Sequence, residues 1–512
     1  MTKIIIIGGG VSGLTAGIYA QQAGFQSSIY ERNALPGGLL AYWQRQSCLL
    51  DNCVHWLTGT NNRTMLYQLW ENVGVLSKDL PVYQQPYFMQ VEHSGETLHL
   101  WRDLSRLRTD MLRLSPSEAP MIEEFIHLVT IYQGTVVVAN KPIEQYTLWQ
   151  KIKLLFAMRK IGKVHRKYAK MSIADYAAQF RHPLIQKFLT TYFPVHYNIS
   201  SLFFVFGMFT SGNADLPAGG SRGMGERMVS RYESLGGKMH TGWEAERIEI
   251  KGDRAVGVRF SNGQMVEADY VVIACDLHHA ITQLLPKVHW DAYMQEHYVD
   301  HPEKYPTYSS VNLFYKVNHL THMVPEARIL DLNALEINGK RIPTAFVKHF
   351  NYEPSFAPAD TTILQVLLTQ YDDDSAYWQQ LRATDYPAYS AAKKQVADAV
   401  AEALEATFPE LTDSLTLLDI CTPATNERYC HAYRGAYMSF ILTPYNEKNS
   451  HNGRVKGLRN VYLAGQWLQA PGGLPNAAVT GKFAIQRLVH DAKPYRADDN
   501  DYVGDGHSDS RT

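Results

Sequence analysis

The chemistry-bearing pattern nearest the N-terminus is Gly8-Gly9-Gly10-Val11-Ser12-Gly13, which fits G-x-G-x-x-G. It follows the β-branched run Ile4-Ile5-Ile6-Ile7 and leads into a helical stretch from about Ser12 to Ala23. In such a unit the first glycine permits the tight turn, the second lets the backbone approach a pyrophosphate, and the third lets helix and strand pack closely. The phosphates then rest on N–H groups at the helix N-terminus. Gly8, Gly10, Val11, Ser12 and Gly13 are therefore expected to hold a dinucleotide. Glu31 ends the next strand, where a carboxylate accepts hydrogen bonds from both hydroxyls of an adenosine ribose and disfavours a 2′-phosphate. A glycine triplet alone would be an ordinary turn, but strand, spacing, helix and terminal acid agree on nucleotide binding.

Two later glycine turns decide between dinucleotides. Leu35-Pro36-Gly37-Gly38 comes just after Glu31-Arg32, and Gly465-Gln466-Trp467 leads into Gly472-Gly473-Leu474-Pro475-Asn476 and a second helix. A glycine turn opening a helix there aims a positive dipole end at flavin O2 and N1, where negative charge appears on reduction. That suits a flavin, so FAD is the expected cofactor, with Gly465, Gln466, Gly473, Leu474, Pro475 and Asn476 among its contacts, which the resemblance of the Gly37-Gly38 turn extends to Gly37, Gly38 and Leu39.

These turns also carry a resemblance. Gly37-Gly38 resembles the Gly-Gly signature of the glutathione-reductase-like flavoprotein superfamily, which continues with arginine where this chain has Leu39. Arg32 or Arg45 could replace that charge. Most members have aspartate, bonded to a ribityl hydroxyl, where Gln466 stands. With Leu216-Pro217-Ala218-Gly219-Gly220 and the strand Tyr270-Val271-Val272-Ile273-Ala274, the chain resembles the phytoene desaturase and retinol saturase branch of the flavin amine oxidase-like proteins. The resemblance implies that Ala245 and Ala274 border the nucleotide. It also implies a histidine near the flavin within Leu50 to Leu57, which makes His55 the candidate acid or base. The plainer reading of His55 is a hydrogen-bonded core residue. Arg222 and His196 are weaker candidates.

The implied function is an FAD-dependent oxidoreductase exchanging hydride between flavin N5 and a carbon of an apolar, isoprenoid or polyene-like substrate, as desaturase or saturase. An FAD-dependent amine oxidase is the alternative within the fold; a flavin-binding regulatory or assembly protein without net redox turnover is the alternative outside enzymology. No second G-x-G-x-x-G follows a strand, so oxygen, a quinone or a transiently bound nicotinamide is left as electron partner. Phe203 to Phe209 is either a tunnel wall for an apolar chain or core. The basic, apolar stretch 147–170 is a candidate for peripheral membrane contact. Projected as one continuous helix, however, it returns Arg159 and Lys163 to the face of Trp149 and Ile152. Asp372-Asp373-Asp374 reads as a solvated loop, and no metal site is expected.

These residues need a scaffold of more than one core, since 512 residues exceed the roughly 250 to 300 at which a single core stops growing. The expected class is α/β: a Rossmann-type FAD-binding domain, discontinuous in sequence (1–80, 217–289 and 416–490), with an interleaved mixed α+β substrate domain (81–216 and 290–415). Residues 491–512 are polar and acidic and are expected to be a disordered tail. A net charge of −1 gives no electrostatic case for nucleic acid. Five scattered cysteines fit a reducing, cytoplasmic compartment, and no apolar run reaches the roughly 18 residues of a membrane span.

Overall fold

The computed structural model describes residues 2–321, 326–446 and 448–492; the tail expected to be disordered lies, from residue 493 on, outside them. Strand β1 (Lys3–Ile7) is almost wholly isoleucine because it is covered on both faces. It is the centre of a five-stranded parallel sheet, in the order Lys238–Thr241, β2 (Gln26–Glu31), β1, Tyr270–Ile273, Val461–Leu463. Successive side chains of a strand point to opposite faces. Ile4 and Ile6 accordingly join one core with helix α1 (Val11–Gln22) and the helices Gly220–Ser234 and Gly473–Asp491. Ile5 and Ile7 join another with Ile248, Val258 and Phe260 of a three-stranded antiparallel sheet. This is the Rossmann-type arrangement expected, with its strands drawn from distant parts of the chain.

The hairpin β3 (Tyr42–Arg45) and β4 (Cys48–Asp51) leaves the first sheet for the second. That second sheet has seven mixed strands, including β5 (Tyr308–Val317), β6 (Thr344–His349) and β7 (Thr362–Tyr371), with β7 antiparallel to both of the others. Alternation again assigns the faces. Val311, Leu313, Ala345, Val347, Val366 and Leu368 pack beneath Trp378, Val396 and Val400 of two covering helices. Ser310, Asn312, Thr344, Phe346, Leu367 and Thr369 face the other way, into a cavity.

A helical layer closes the far side of that cavity. It includes α2 (Leu148–Ala157), α3 (Arg159–Tyr168) and α4 (Ile199–Thr210). Thr147 caps α2 by accepting the Gln150 N–H while the Gln150 side chain accepts the Thr147 N–H. Met158, at φ −87° and ψ 1°, ends α2. The stretch 147–170 is thus two helices rather than one, and a projection along a single axis does not describe its faces.

The aromatic run divides between its two readings, and the reading of the acidic triplet is corrected. Of the aromatic run, Phe203, Phe206 and Phe209 are buried core on α4, and Phe204 and Val205 turn to the cavity. Asp372, Asp373 and Asp374 are the first turn of a helix, where carboxylates are favoured by the dipole, and not a solvated loop. Asp372 pairs with Arg434, Lys340 reaches Asp373 and Asp374, and Asp374 accepts the Tyr371 N–H.

Candidate functional site

One cavity of about 2140 Å³ runs between the two sheets. That is twice the upper end of the roughly 300–1,000 Å³ usual for a ligand pocket, so it has room for a cofactor and a second ligand. Gly8, Gly10, Val11, Ser12, Glu31, Arg32, Gly37, Gly38, Leu39, Ala245 and Ala274 border its nucleotide arm. Gly465, Gln466, Gly473, Leu474, Pro475, Asn476 and His55 border it further along. Gly13 does not border it and lies beneath the turn, where a Cβ would come within 1.9 Å of the Gly8 carbonyl oxygen.

The nucleotide arm fits FAD. Gly10 is the N-cap of α1, so no side chain caps that helix and no acid lies in its first turn. Its first N–H groups are left to an anion. Gly8 takes φ +104°, a conformation open to glycine, and its N–H bonds to the Tyr30 carbonyl at 2.8 Å. Gly37 packs directly on this turn, its N–H donating to the Gly9 carbonyl at 2.9 Å. Glu31 is buried; Oε2 accepts the Gly9 N–H at 2.8 Å, and Oε1 accepts the Asn33 backbone N–H at 2.8 Å and its side-chain amide at 2.9 Å. The carboxylate is thereby oriented, with further lone pairs for hydroxyl donors. Of the two arginines considered for the missing charge, Arg32 pairs with Glu244 at 3.4 Å, and Arg45 pairs with Asp419 at 2.9 Å on β3.

At the other glycine turn, helix α6 (Gly473–Asp491) also opens without a capping side chain or an acid. Gln466 ties this turn to the chain: its Oε1 accepts the Gly473 N–H at 2.9 Å and its Nε2 donates to the Tyr437 carbonyl at 3.3 Å. The glutamine thus holds the loop's shape.

His55 sits at the junction of the arms, its ring edge-on to Phe346 at 6.0 Å between centroids. Its Nδ1 is buried without a hydrogen-bond partner, as is Asn52 Oδ1 beside it. Unpaired buried polar atoms on a cavity wall are the mark of a ligand site. Burial and the nearby Lys348 charge hold the imidazole pKa well below its usual value, so the ring is neutral. Beneath the turn, Asp51 accepts the Cys53 and Val54 N–H groups at 3.1 and 3.2 Å and the Ser221 N–H at 2.7 Å. It thereby fastens the hairpin to the start of α5 (Gly220–Ser234).

Lys348 is the neighbour that sequence reasoning passed over. It is buried on β6, its Nζ donates to the Val54 carbonyl at 3.1 Å, and burial pulls its pKa down to about 8. Its signal was the alternation Thr344, Phe346, Lys348 on one face of the strand. Arg222 and His196 are not in the site: the first is paired with Glu226 at 2.8 Å on the surface, and the second is exposed.

The remaining arm is walled by Tyr192, Phe204, Val205, Phe346, Tyr437 and Leu442, and it meets Leu154 and Leu155 of α2, Met158 at the break and Ile161 and His165 of α3, of which Leu155 and His165 are exposed. Tyr308 lies between Tyr197 and Tyr437, ring to ring at 5.9 and 5.1 Å. The carboxylates among the described lining residues, Glu31, Glu244, Asp276 and Asp419, are not among these.

Residues 11–489 match the model of a family described as flavin containing amine oxidoreductase. The chain belongs to that family. It is a flavin-dependent oxidoreductase that binds FAD, and it falls with the phytoene desaturase-like branch that its glycine turns resemble. It is similar to a phytoene desaturase (lycopene-forming) from Paracoccus sp., 24% identical over 95% of this chain and 97% of that one. It is also similar to prolycopene isomerase 2 (chloroplastic) of an Oncidium hybrid cultivar, 22% identical over 85% of this chain and 74% of that one. Among solved structures, putrescine oxidase bound to putrescine shares the fold at a TM-score of 0.59 and 13% identity, covering 96% of this chain and 99% of that one. No described helix is long and apolar enough to cross a membrane.

Proposed function

We propose that the protein exchanges hydride with a carbon of a long, apolar, isoprenoid or polyene-like substrate, in the direction of desaturation or saturation. Bound FAD supplies the hydride acceptor or donor, N5. The observation that carries the reading is the cavity, continuous from the glycine turns to the aromatic and aliphatic walls of its second arm. A hydrocarbon chain offers no charged handle, so its register depends on wall shape, which aromatic side chains such as Tyr192, Phe204 and Phe346 provide. The likeness to a phytoene desaturase supports the same substrate class.

In this reading His55 is the proton carrier. Held neutral by burial, it takes a proton at Nδ1 from the carbon next to the one that loses hydride, in the direction of desaturation. The Asp51 hydrogen bonds hold its turn against α5. The second electron partner is a separate molecule: oxygen, a quinone or a transiently bound nicotinamide.

A redox-neutral rearrangement is the second reading, favoured by the likeness to a prolycopene isomerase. Incubation of the holoprotein with long-chain polyenes, followed by mass spectrometry of the product, separates the two. Loss or gain of two hydrogens supports hydride exchange, and a product of unchanged mass supports isomerisation. Amine oxidation is the third reading: none of the residues named for the second arm is an acid, although Glu31, Glu244, Asp276 and Asp419 line the cavity elsewhere, and a buried lysine, Lys348, lies at the His55 turn.

A further inference from the structure

Four tyrosines from three separate parts of the chain, Tyr192, Tyr197, Tyr308 and Tyr437, line the cavity together. Tyr308 opens β5, and Tyr192 and Tyr197 lie in the segment that leads into α4. The Tyr437 carbonyl accepts Gln466 Nε2 at 3.3 Å, which ties this residue to the glycine turn of α6. Tyr192 packs on Phe346 at 5.9 Å between centroids, on the ring that also meets His55. The group thus adjoins the second glycine turn and the His55 wall alike.

Phenylalanine would wall an apolar arm equally well, so the hydroxyls need a reason of their own. Burying a hydroxyl costs free energy unless it finds a hydrogen-bond partner. The Tyr308 hydroxyl has those of Tyr197 and Tyr437 beside it: burial pushes its pKa up to about 12, while these two neighbours draw it down. Burial raises Tyr192, Tyr197 and Tyr437 well above the ordinary value too, so all four keep their protons.

Each phenol has one proton to give. In the row Tyr197, Tyr308, Tyr437, two protons can pass to a neighbouring oxygen, and the third has no acceptor within the row. Adding the Tyr192 hydroxyl brings another proton with the oxygen and leaves the excess unchanged. No backbone carbonyl or carboxylate among the described residues takes it. Tyr197 Oη is buried and makes no hydrogen bond of good geometry. The groups that act on Tyr192, Tyr197 and Tyr308 are other phenols, with no ammonium or guanidinium among them. The site therefore offers a proton and no positive charge.

We propose that the tyrosine group binds a carbonyl oxygen of the substrate, so that the molecule taken into the arm is an isoprenoid or polyene ketone or aldehyde rather than a bare hydrocarbon. A carbonyl oxygen accepts the spare proton and brings none of its own, whereas a substrate hydroxyl would accept one and add another. A carboxylate or phosphate would need a cation that the group lacks. That a long apolar molecule occupies the arm at all rests on the function proposed above; the oxygen-binding role of the tyrosines is additional to it.

The test is binding to the full-length holoprotein of three polyenes of one carbon skeleton, delivered in micelles: a conjugated ketone, the corresponding alcohol and the hydrocarbon. Affinities are read from the flavin difference spectrum by rapid mixing, before the flavin changes redox state. The ketone is expected to bind about tenfold tighter than the hydrocarbon, the yield of one buried hydrogen bond, with the alcohol between them. Its absorption band should also move to longer wavelength on binding, as a hydrogen-bonded conjugated carbonyl does. Tyr308→Phe and, separately, Tyr437→Phe are expected to keep the flavin spectrum and to lose most of the ketone preference and of the band shift. A ketone that binds no tighter than the hydrocarbon overturns the proposal. So does an alcohol that binds tighter than the ketone, or a preference and band shift that survive in both variants. The preference and the shift are read on the parent protein and stand whether or not a variant folds. Hydrocarbon binding without a ketone preference leaves the function proposed above in place, and binding of none of the three overturns both.

Discussion

Lys348 and Val54, 294 residues apart, are joined by a hydrogen bond from the lysine Nζ to the backbone carbonyl at 3.1 Å. The bond fastens the seven-stranded sheet to the turn that carries His55, and it places a buried ammonium near Asp51 and Cys53. Its energetic signature is a dependence of stability on pH. The folded pKa is about 8 against 10.5 for an ordinary lysine, because burial disfavours the charged form. Between those values the unfolded chain holds a proton that the folded one has released, so stability rises with pH across that window. The contribution is roughly 3 kcal/mol in all. Denaturant unfolding of parent and Lys348→Met, compared from pH 7 to 10.5, should show a slope in the parent that the variant lacks. Equal slopes would mean that the lysine is not buried as described.

Glu31 is predicted to act twice. Its carboxylate accepts the Gly9 and Asn33 N–H groups and borders the cavity. Glu31→Ala should therefore lower the flavin-to-protein absorbance ratio after purification and also destabilise the apoprotein by about 1–3 kcal/mol, since a buried N–H loses its acceptor. A variant that keeps both FAD and stability would remove Glu31 from the site.

The glycines of the first turn should separate into two kinds. A Cβ at Gly10 would meet nothing closer than the Gly37 carbonyl oxygen at 3.7 Å, whereas one at Gly13 would overlap the Gly8 carbonyl at 1.9 Å. Gly10→Ala should thus fold normally as apoprotein and bind FAD poorly, because the added methyl lies where the pyrophosphate approaches. Gly13→Ala should fail to fold stably whether or not FAD is added. Thermal unfolding of both variants with and without FAD checks the contrast, and equal behaviour would contradict it.

His55→Ala is expected to retain FAD and to slow flavin reduction by substrate about 10²- to 10⁴-fold, the usual range for a lost acid or base. Because burial and Lys348 keep the imidazole pKa well below its usual value, the parent's rate of reduction should show no ionisation step near pH 6.5. Stopped-flow reduction across pH reads both. Loss of FAD from the variant would make His55 a structural residue.

What the sequence revealed follows from locality. The first glycine turn, the isoleucine strand and Glu31 lie within one contiguous βαβ unit, and short-range sterics decide their conformation. The cavity could not be read in this way. Lys348 meets the His55 turn through a bond between segments 294 residues apart. Phe203 and Phe204 are neighbours in sequence, yet the helical turn of α4 sends one into the core and the other to the cavity wall. The stretch 147–170 was legible in composition but not in geometry, because the helix break falls at Met158, with neither glycine nor proline there to announce it.

The central claim is that the flavin reacts with a long apolar substrate held in the second arm of the cavity. Anaerobic mixing of the holoprotein with polyenes in micelles, and separately with amines, tests it through the oxidised-flavin absorbance. The account predicts that a polyene bleaches the oxidised flavin, or reoxidises the reduced one if the direction is saturation, and that amines do neither. Bleaching by an amine with no response to any polyene in either redox state would contradict it.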